Sequence, residues 1–257
     1  MQTEQTWDNY ARFAEARGQL VYHIINSQTN VIGKQVLDFG CGTGGTAYVF
    51  ARHGAHVTAV DVKDTFRFPR EPIKFRFNRE PLLKSAKDTF DIIIMQDVIE
   101  HVPTIGMMLP TIVDCLKPDG LLYLSTPNRW SPFNTIADPH WGIPFVSMLS
   151  RRHVIRIVHN IFHIDRRDRQ DWPALFGYRR LISLLEESGL QVTFVNRQVV
   201  RYLHDYPESV FCAPWHLWLF EKLKQTGLLH LLHWLVNDRR GLFNRLLNPT
   251  WYMIASK

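Results

Sequence analysis

Residues 38 to 45 read Asp38-Phe39-Gly40-Cys41-Gly42-Thr43-Gly44-Gly45, an acid followed closely by glycines. Backbone without Cβ atoms passes close to a ligand and takes positive φ at little cost. A helical pattern begins near Thr46, and its first N–H groups would present partial positive charge to an anionic group. The next apolar run, Val57-Thr58-Ala59-Val60, ends in Asp61, whose one carboxylate can accept from both hydroxyls of a ribose. A nucleotide-like cofactor is the ligand this pair of features fits. Two further groups carry chemistry. Gln96-Asp97-Val98-Ile99-Glu100-His101 puts two carboxylates and an imidazole in one short stretch, and Asp138-Pro139-His140-Trp141-Gly142 places an imidazole on a loop bounded by proline and glycine. Imidazole titrates near neutrality, which suits either histidine to taking a proton from an attacking oxygen.

The elements that must hold these residues follow from periodicity. From 34 to 128, short apolar runs alternate with helical stretches, the pattern of βαβ units and a parallel sheet with right-handed connections. Strands are expected at 35–39, near 56–60, 73–77, 90–95 and 120–125, then at 191–197 and 251–256. An opening helix over 6–27 covers either the cofactor or one face of the sheet. Tyr178 to Glu187 reads as a helix ended by Gly189 at C′. The pattern breaks at 131–177, rich in proline, aromatics and arginine, and at 200–248, rich in Trp, Leu and His.

Read alone, Gly40, Gly42 and Gly45 satisfy the dinucleotide fingerprint, with Asp61 about 20 residues on. The acid two positions before Gly40 changes that reading. Asp38-x-Gly40-x-Gly42-x-Gly44 resembles motif I of the class I S-adenosylmethionine (SAM) methyltransferases. Val57 to Asp61, Phe90 to Val102 and Leu116 to Asn128 resemble that family's second, fourth and fifth strand regions, in order. Asp97-x-x-Glu100-His101 with Leu116-Lys-Pro-Asp-Gly120 is most similar to the ubiquinone-biosynthesis O-methyltransferases and the type 11 methyltransferase group. The resemblance covers about 1–130, 178–198 and 250–257.

It implies an α/β, Rossmann-like, seven-stranded and mostly parallel sheet of order 3-2-1-4-5-7-6, with helices on both faces. A single domain over 1–257 is expected, the two irregular segments forming a cap over the substrate. The cofactor implied is SAM, held by Asp38, Gly40, Cys41, Gly42, Gly44, Asp61, Val62, Asn78, Gln96 and Asp97. Asp61 would take the ribose and Val62 the adenine face. Asn78 stands where the family has a polar reader of the adenine amine. Asp38 either shapes the loop by accepting backbone N–H bonds or approaches the ammonium through water. His140, oriented by Asp138, is the expected general base, with His101 its rival. In the quinone group the acid, Glu and His corresponding to Asp97, Glu100 and His101 are associated with a divalent cation, but no metal is assigned to this chain.

The expected function is O-methylation of a small or lipid-linked amphiphilic acceptor. A non-catalytic SAM-binding protein and an NAD-dependent oxidoreductase are the alternatives. At 257 residues with 46% hydrophobic, the chain can bury a full core. Three widely spaced cysteines (Cys41, Cys115, Cys212) suggest neither a disulfide framework nor a zinc site, and fit a reducing cytoplasm. No signal peptide or membrane span is expected. A net charge of +6 favours an anionic surface without indicating nucleic acid, and no nucleic-acid partner is expected. The Trp- and Leu-rich stretch 211–236, flanked by Arg239, Arg240 and Arg245, suits a core, a partner or the inner face of a membrane. The sequence assigns no oligomeric state.

Overall fold

The computed structural model describes residues 2–76, 83, 85–161, 172–211, 214–227, 229 and 234–257. Its strands are β1 (Gln35–Phe39), β2 (His56–Val60), β3 (Lys74–Arg76), β4 (Phe90–Gln96), β5 (Leu116–Pro127), β6 (Gln191–Phe194) and β7 (Thr250–Ser256). They form one sheet of order β3-β2-β1-β4-β5-β7-β6. The pairs among β1 to β5 are parallel, while β7 runs antiparallel to β5 and β6. This is the expected order. Central parallel strands are buried on both faces, so they read as unbroken apolar runs. Ile92, Ile93, Ile94 and Met95 of β4 are all fully buried.

Helices cover both faces. They are α1 (Gln2–Asn26), α2 (Gly45–Arg52), α3 (Ile105–Asp114), α4 (Pro132–Ile136), α5 (Arg151–Asn160), α6 (Tyr178–Glu187), α7 (Asn196–Asp205) and α8 (Pro214–Gln225). Alternate residues of each strand point to opposite faces. Leu37, Phe39 and Ile93 therefore pack with Leu109 of α3 and Leu185 of α6. Val36, Ile92 and Ile94 pack with Ile24 of α1, Phe50 of α2 and Val199 of α7.

Two boundaries differ from the sequence reading. β5 starts at Leu116, which pairs with Phe90 ahead of a register shift, so the expected lead-in turn is drawn into the sheet. The strand expected over 191–197 stops at Phe194. The Asn196 amide turns into the interior, where Asn196 Nδ2 donates to Asn244 Oδ1 (2.9 Å) and Asn248 Nδ2 donates to Asn196 Oδ1 (3.1 Å), and α7 begins there. The 200–248 segment is accordingly joined to the sheet by helix. Asn248 Nδ2 also donates to Asn244 Oδ1, and the Trp251 indole donates to the Asn244 carbonyl. Asn128 Nδ2 and Asn134 Nδ2 donate to carbonyls of Asn248 and Pro249. These amides pin the π-helical turn Phe243–Leu247 to the sheet end.

α1 lies directly on α2. A Cβ added at Gly45 would stand 2.5 Å from the Ala14 carbonyl carbon, and one at Gly18 would stand 2.9 Å from Thr46 Cα. Only glycine permits this approach, and it carries the face of α1 bearing Tyr10, Phe13 and Arg17 over the end of the sheet. Among the described residues, no helix is long and apolar enough to cross a membrane. Gly18→Val is expected to cost about 1–3 kcal/mol through overpacking, read as a lowered midpoint of urea unfolding. An unchanged midpoint would contradict the contact.

Candidate cofactor and reaction site

Open α/β sheets bind ligands in the crevice outside the carboxyl ends of their strands. Here a recess of about 690 Å³ opens at that edge. Its floor is the β1–α2 loop. Gly40 and Gly42 have φ of +79° and +51°, and Gly40 N donates to Val60 O at 2.8 Å. Asp61, at the tip of β2, accepts from Gly42 N at 2.8 Å and from Lys63 N at 3.1 Å. Loop and strand-end acid thus hold each other. Each carboxylate oxygen has a second acceptor site, which leaves room for further donors.

Asp38 is buried. It accepts from the Ala47 backbone N–H in the first turn of α2, while its Oδ2 has no hydrogen-bond partner. Burial pushes its carboxyl up to about 7, with the nearby Asp61 charge adding to the rise and the Ala47 bond opposing it. Both roles considered for Asp38 are therefore open to it: one oxygen shapes the loop and the other is spare. Cys41 lines the recess, and burial together with Asp38 and Asp61 keeps its thiol protonated.

At the end of β4, Gln96 Oε1 accepts from Thr46 Oγ1 (2.8 Å), leaving its buried Nε2 without a partner. Asp97 follows with φ of +52°, an uncommon conformation for a residue with a side chain. It is held by an ion pair with Arg17 of α1 and by the Ser125 hydroxyl at 2.8 Å. Burial works against its ionisation, yet Arg17 and Ser125 keep its carboxyl below the usual range.

Beyond lies a cluster that sequence separation hides. His101 Nε2 and His140 Nε2 are 3.2 Å apart, and each is 3.9 Å from Glu100 Oε1. Glu100 is completely buried. Its Oε2 accepts from Thr126 Oγ1 (2.8 Å), and its Oε1 has no hydrogen-bond partner. Burial, followed by the Asp97 charge, raises its carboxyl to about 7, with His101 opposing. Asp138 Oδ1 lies 3.9 Å from His140 Nδ1 and also accepts from the backbone N–H of His140 and Trp141, which fixes the loop.

Asp38, Gly40, Cys41, Gly42, Gln96, Asp97, His101 and His140 all line the one recess. Gly44 does not line it. A Cβ there would strike the Phe66 ring at 2.3 Å, so this glycine serves packing and the entry to α2. Val62 is exposed beside Asp61, and Asn78 lies outside the described residues. The cation set that the resemblance suggested is changed in membership. Asp97 is engaged by Arg17 and Ser125, and the ligand atoms that gather within 4.8 Å are those of Glu100, His101 and His140. One carboxylate and two imidazoles are a donor set that fits a divalent cation, and the unpartnered Glu100 Oε1 agrees with that fit.

Sequence reasoning missed Arg17, Thr46, Tyr252, Phe211 and His216, which also line the recess. Arg17 carried one signal: it lies four residues after Phe13, on the same helical face as Tyr10 and Ala14.

The chain matches the methyltransferase-domain family over residues 10–196. A ubiquinone biosynthesis O-methyltransferase from Coxiella burnetii is 34% identical over 113 residues, 41% of this chain and 48% of that protein. One from Xylella fastidiosa is 35% identical over 114 residues, 41% of this chain and 46% of that protein. The chain thus spans about half the length of these curated relatives. Among solved structures, a SAM-dependent methyltransferase from Mesorhizobium loti superposes with a TM-score of 0.53 at 17% identity, covering 89% of this chain and 93% of that one. One from Archaeoglobus fulgidus gives 0.52 at 16%, covering 93% and 94%. The antiparallel β7 between β5 and β6 departs from the 3-2-1-4-5-6 sheet of dinucleotide oxidoreductases. Sheet, glycine loop and sequence match agree: this chain belongs to the methyltransferase-domain family.

Proposed function

We propose that the chain transfers the methyl group of SAM to a hydroxyl oxygen of a small or lipid-linked amphiphilic acceptor. The observation that carries this reading is the convergence of the Asp38–Gly42 loop and the Glu100–His101–His140 cluster on one recess. The spare Asp38 Oδ2 suits the ammonium of the methionine end, and Arg17 with Gln96 Nε2 suits its carboxylate. Asp61 and exposed Val62 suit the ribose and the adenine face. As the acceptor oxygen bonds to the methyl carbon and the carbon–sulfur bond breaks, the hydroxyl proton passes to a histidine of the pair. His140 is the preferred base. Glu100 Oε1, 3.9 Å from both Nε2 atoms, would stabilise the imidazolium that forms.

The cluster also favours a second reading. A divalent cation would be held by Glu100, His101 and His140, where it would lower the pKa of a bound acceptor hydroxyl. Exhaustive chelation separates the two, since activity that survives it removes the cation and leaves the proton to the histidine pair.

The two inserts support an acceptor with an apolar part. Val210, Phe211 and His216 line the recess, and α8 follows with Trp215 and Trp218 each 63% exposed. Trp234 and Leu242 stand out beyond, at 77% and 72% exposed, near Arg239, Arg240 and Arg245. Exposed indoles beside arginines suit an anionic bilayer surface, and a cap formed by 131–177 and 200–248 would then pass the acceptor from that surface to the methyl donor. Leu228, Leu231 and Leu232 of the same stretch lie outside the described residues.

Four outcomes are expected. His140→Gln should lower kcat by about 10²–10⁴-fold with SAM affinity unchanged in calorimetry; full turnover would remove His140 as base. The ammonium requires Asp38 ionised, so SAM affinity should fall as pH drops below about 7. Binding at pH 6 should release a proton, seen as a buffer-dependent enthalpy. In the free protein the sign is opposite. Asp38 and Glu100 have folded values near 7, raised from 3.8 and 4.5, so the stability they contribute is full below about 4 and lost as pH rises through 7. The chain should float with phosphatidylglycerol vesicles at low salt, and Trp215→Ser with Trp218→Ser should abolish flotation without altering SAM affinity. Equal flotation of the double variant would reject α8 as the contact.

A further inference from the structure

On the far side of the 99–101 turn from the methyl-donor recess lies a second hollow of about 350 Å³, within the size range of small-molecule sites. Its floor is apolar, with Val102, Ile105 and Leu184, and three arginines line it: Arg129, Arg151 and Arg180. Among the described residues, no carboxylate lines it. Three like charges around one concavity repel one another unless an anion sits between them.

Two of the arginines are held in place. Arg151 Nη2 donates to the Glu100 carbonyl at 2.9 Å, and Arg129 Nη2 donates to the Leu149 carbonyl. Arg129 Nε is buried without a hydrogen-bond partner, and burial lowers the Arg129 pKa. A donor kept dry and unsatisfied costs free energy that an acceptor entering the hollow would recover. Arg180 lies in the first turn of the ten-residue α6, whose N-terminal Gly177 also lines the hollow. Helix dipole and guanidinium therefore act on the same space. Planar guanidinium groups match the oxygens of phosphate by paired N–H donors.

We propose that this hollow binds a soluble phosphomonoester with a small apolar body, its phosphoryl group between Arg129, Arg151 and Arg180 and its body against Leu184 and Val102. The proposal goes beyond the methyl-transfer reading and does not depend on it. Arg151 ties the wall of the hollow to the turn that carries Glu100 and His101, so an occupant would rest against the back of the reaction cluster.

Gly106 of α3 supplies a way to close the hollow. A Cβ there meets only Leu184 Cδ1, at 3.9 Å, so a larger side chain can grow into the space while leucine also favours the helix. The test is calorimetric titration of the full chain at low salt with phenyl phosphate, inorganic phosphate and phenol. Phenyl phosphate is expected to bind more tightly than either of the others. Arg180→Gln should weaken it about tenfold, the loss of one charge-assisted hydrogen bond, and Gly106→Leu should abolish it. SAM affinity should be unchanged in both variants, which shows that each is folded. The proposal is overturned if phenyl phosphate binds no better than phenol, if inorganic phosphate binds equally well, or if the Arg180 variant binds like the parent. Since the readout is binding alone, failure of the methyl-transfer reading leaves this result intact.

Discussion

Two carboxylates, Asp38 and Glu100, are kept out of water at the end of the sheet, each with one oxygen that no donor reaches. Leaving such a group unsatisfied costs about 1–3 kcal/mol, more than a single surface contact returns. The fold sustains both because each is anchored on its other oxygen, Asp38 to the start of α2 and Glu100 to Thr126 on β5. The rest of the crevice is arranged around this tension. Arg17 closes it from above through Asp97, and the paired imidazoles approach Glu100 without reaching hydrogen-bond distance. A positive charge brought to these oxygens would complete an interaction that no donor of the protein makes.

Residues that act from within one strand or its tip were legible in the sequence. β1 and β2 fall where their apolar runs predict, because a strand buried on both faces leaves no ambiguity of pattern. Asp61, Gln96 and Asp97 follow from β2 and β4, since a polar residue ending an apolar run stands at the strand tip, while Asp38 lies within β1, one residue before its end. Pairings made across the chain were not legible. Arg17 meets Asp97 across a sequence separation of 80, and His140 meets His101 across one of 39. Periodicity says which face of a helix is apolar but not what that face will touch. The early end of β6 has the same origin: Asn196 is drawn inward by amides that arrive some fifty residues later.

The inserts show how a shared catalytic frame acquires its own surface. The first builds a small core of its own, with Trp141 stacked on Trp172 at 5.3 Å beside Val154 and Val158. The second packs Phe220 and Leu229 against Leu203 of α7, leaving its indoles outside. The first insert follows the end of β5 and the second continues from α7, and both bring side chains to the recess, His140 from the first and Val210, Phe211 and His216 from the second.

The place of β7 in the sheet has a consequence for biosynthesis. β6 has a single neighbour, β7, which is separated from it in sequence by the whole of 195–249. While that stretch leaves the ribosome, β5 and β6 both wait as open edges, and open edges invite pairing with other chains. The tryptophan-bearing segment emerges during this same interval. A newborn molecule therefore shows its stickiest side chains and its two unfinished borders together, and chaperone protection matters most before residues 250–256 slot between them.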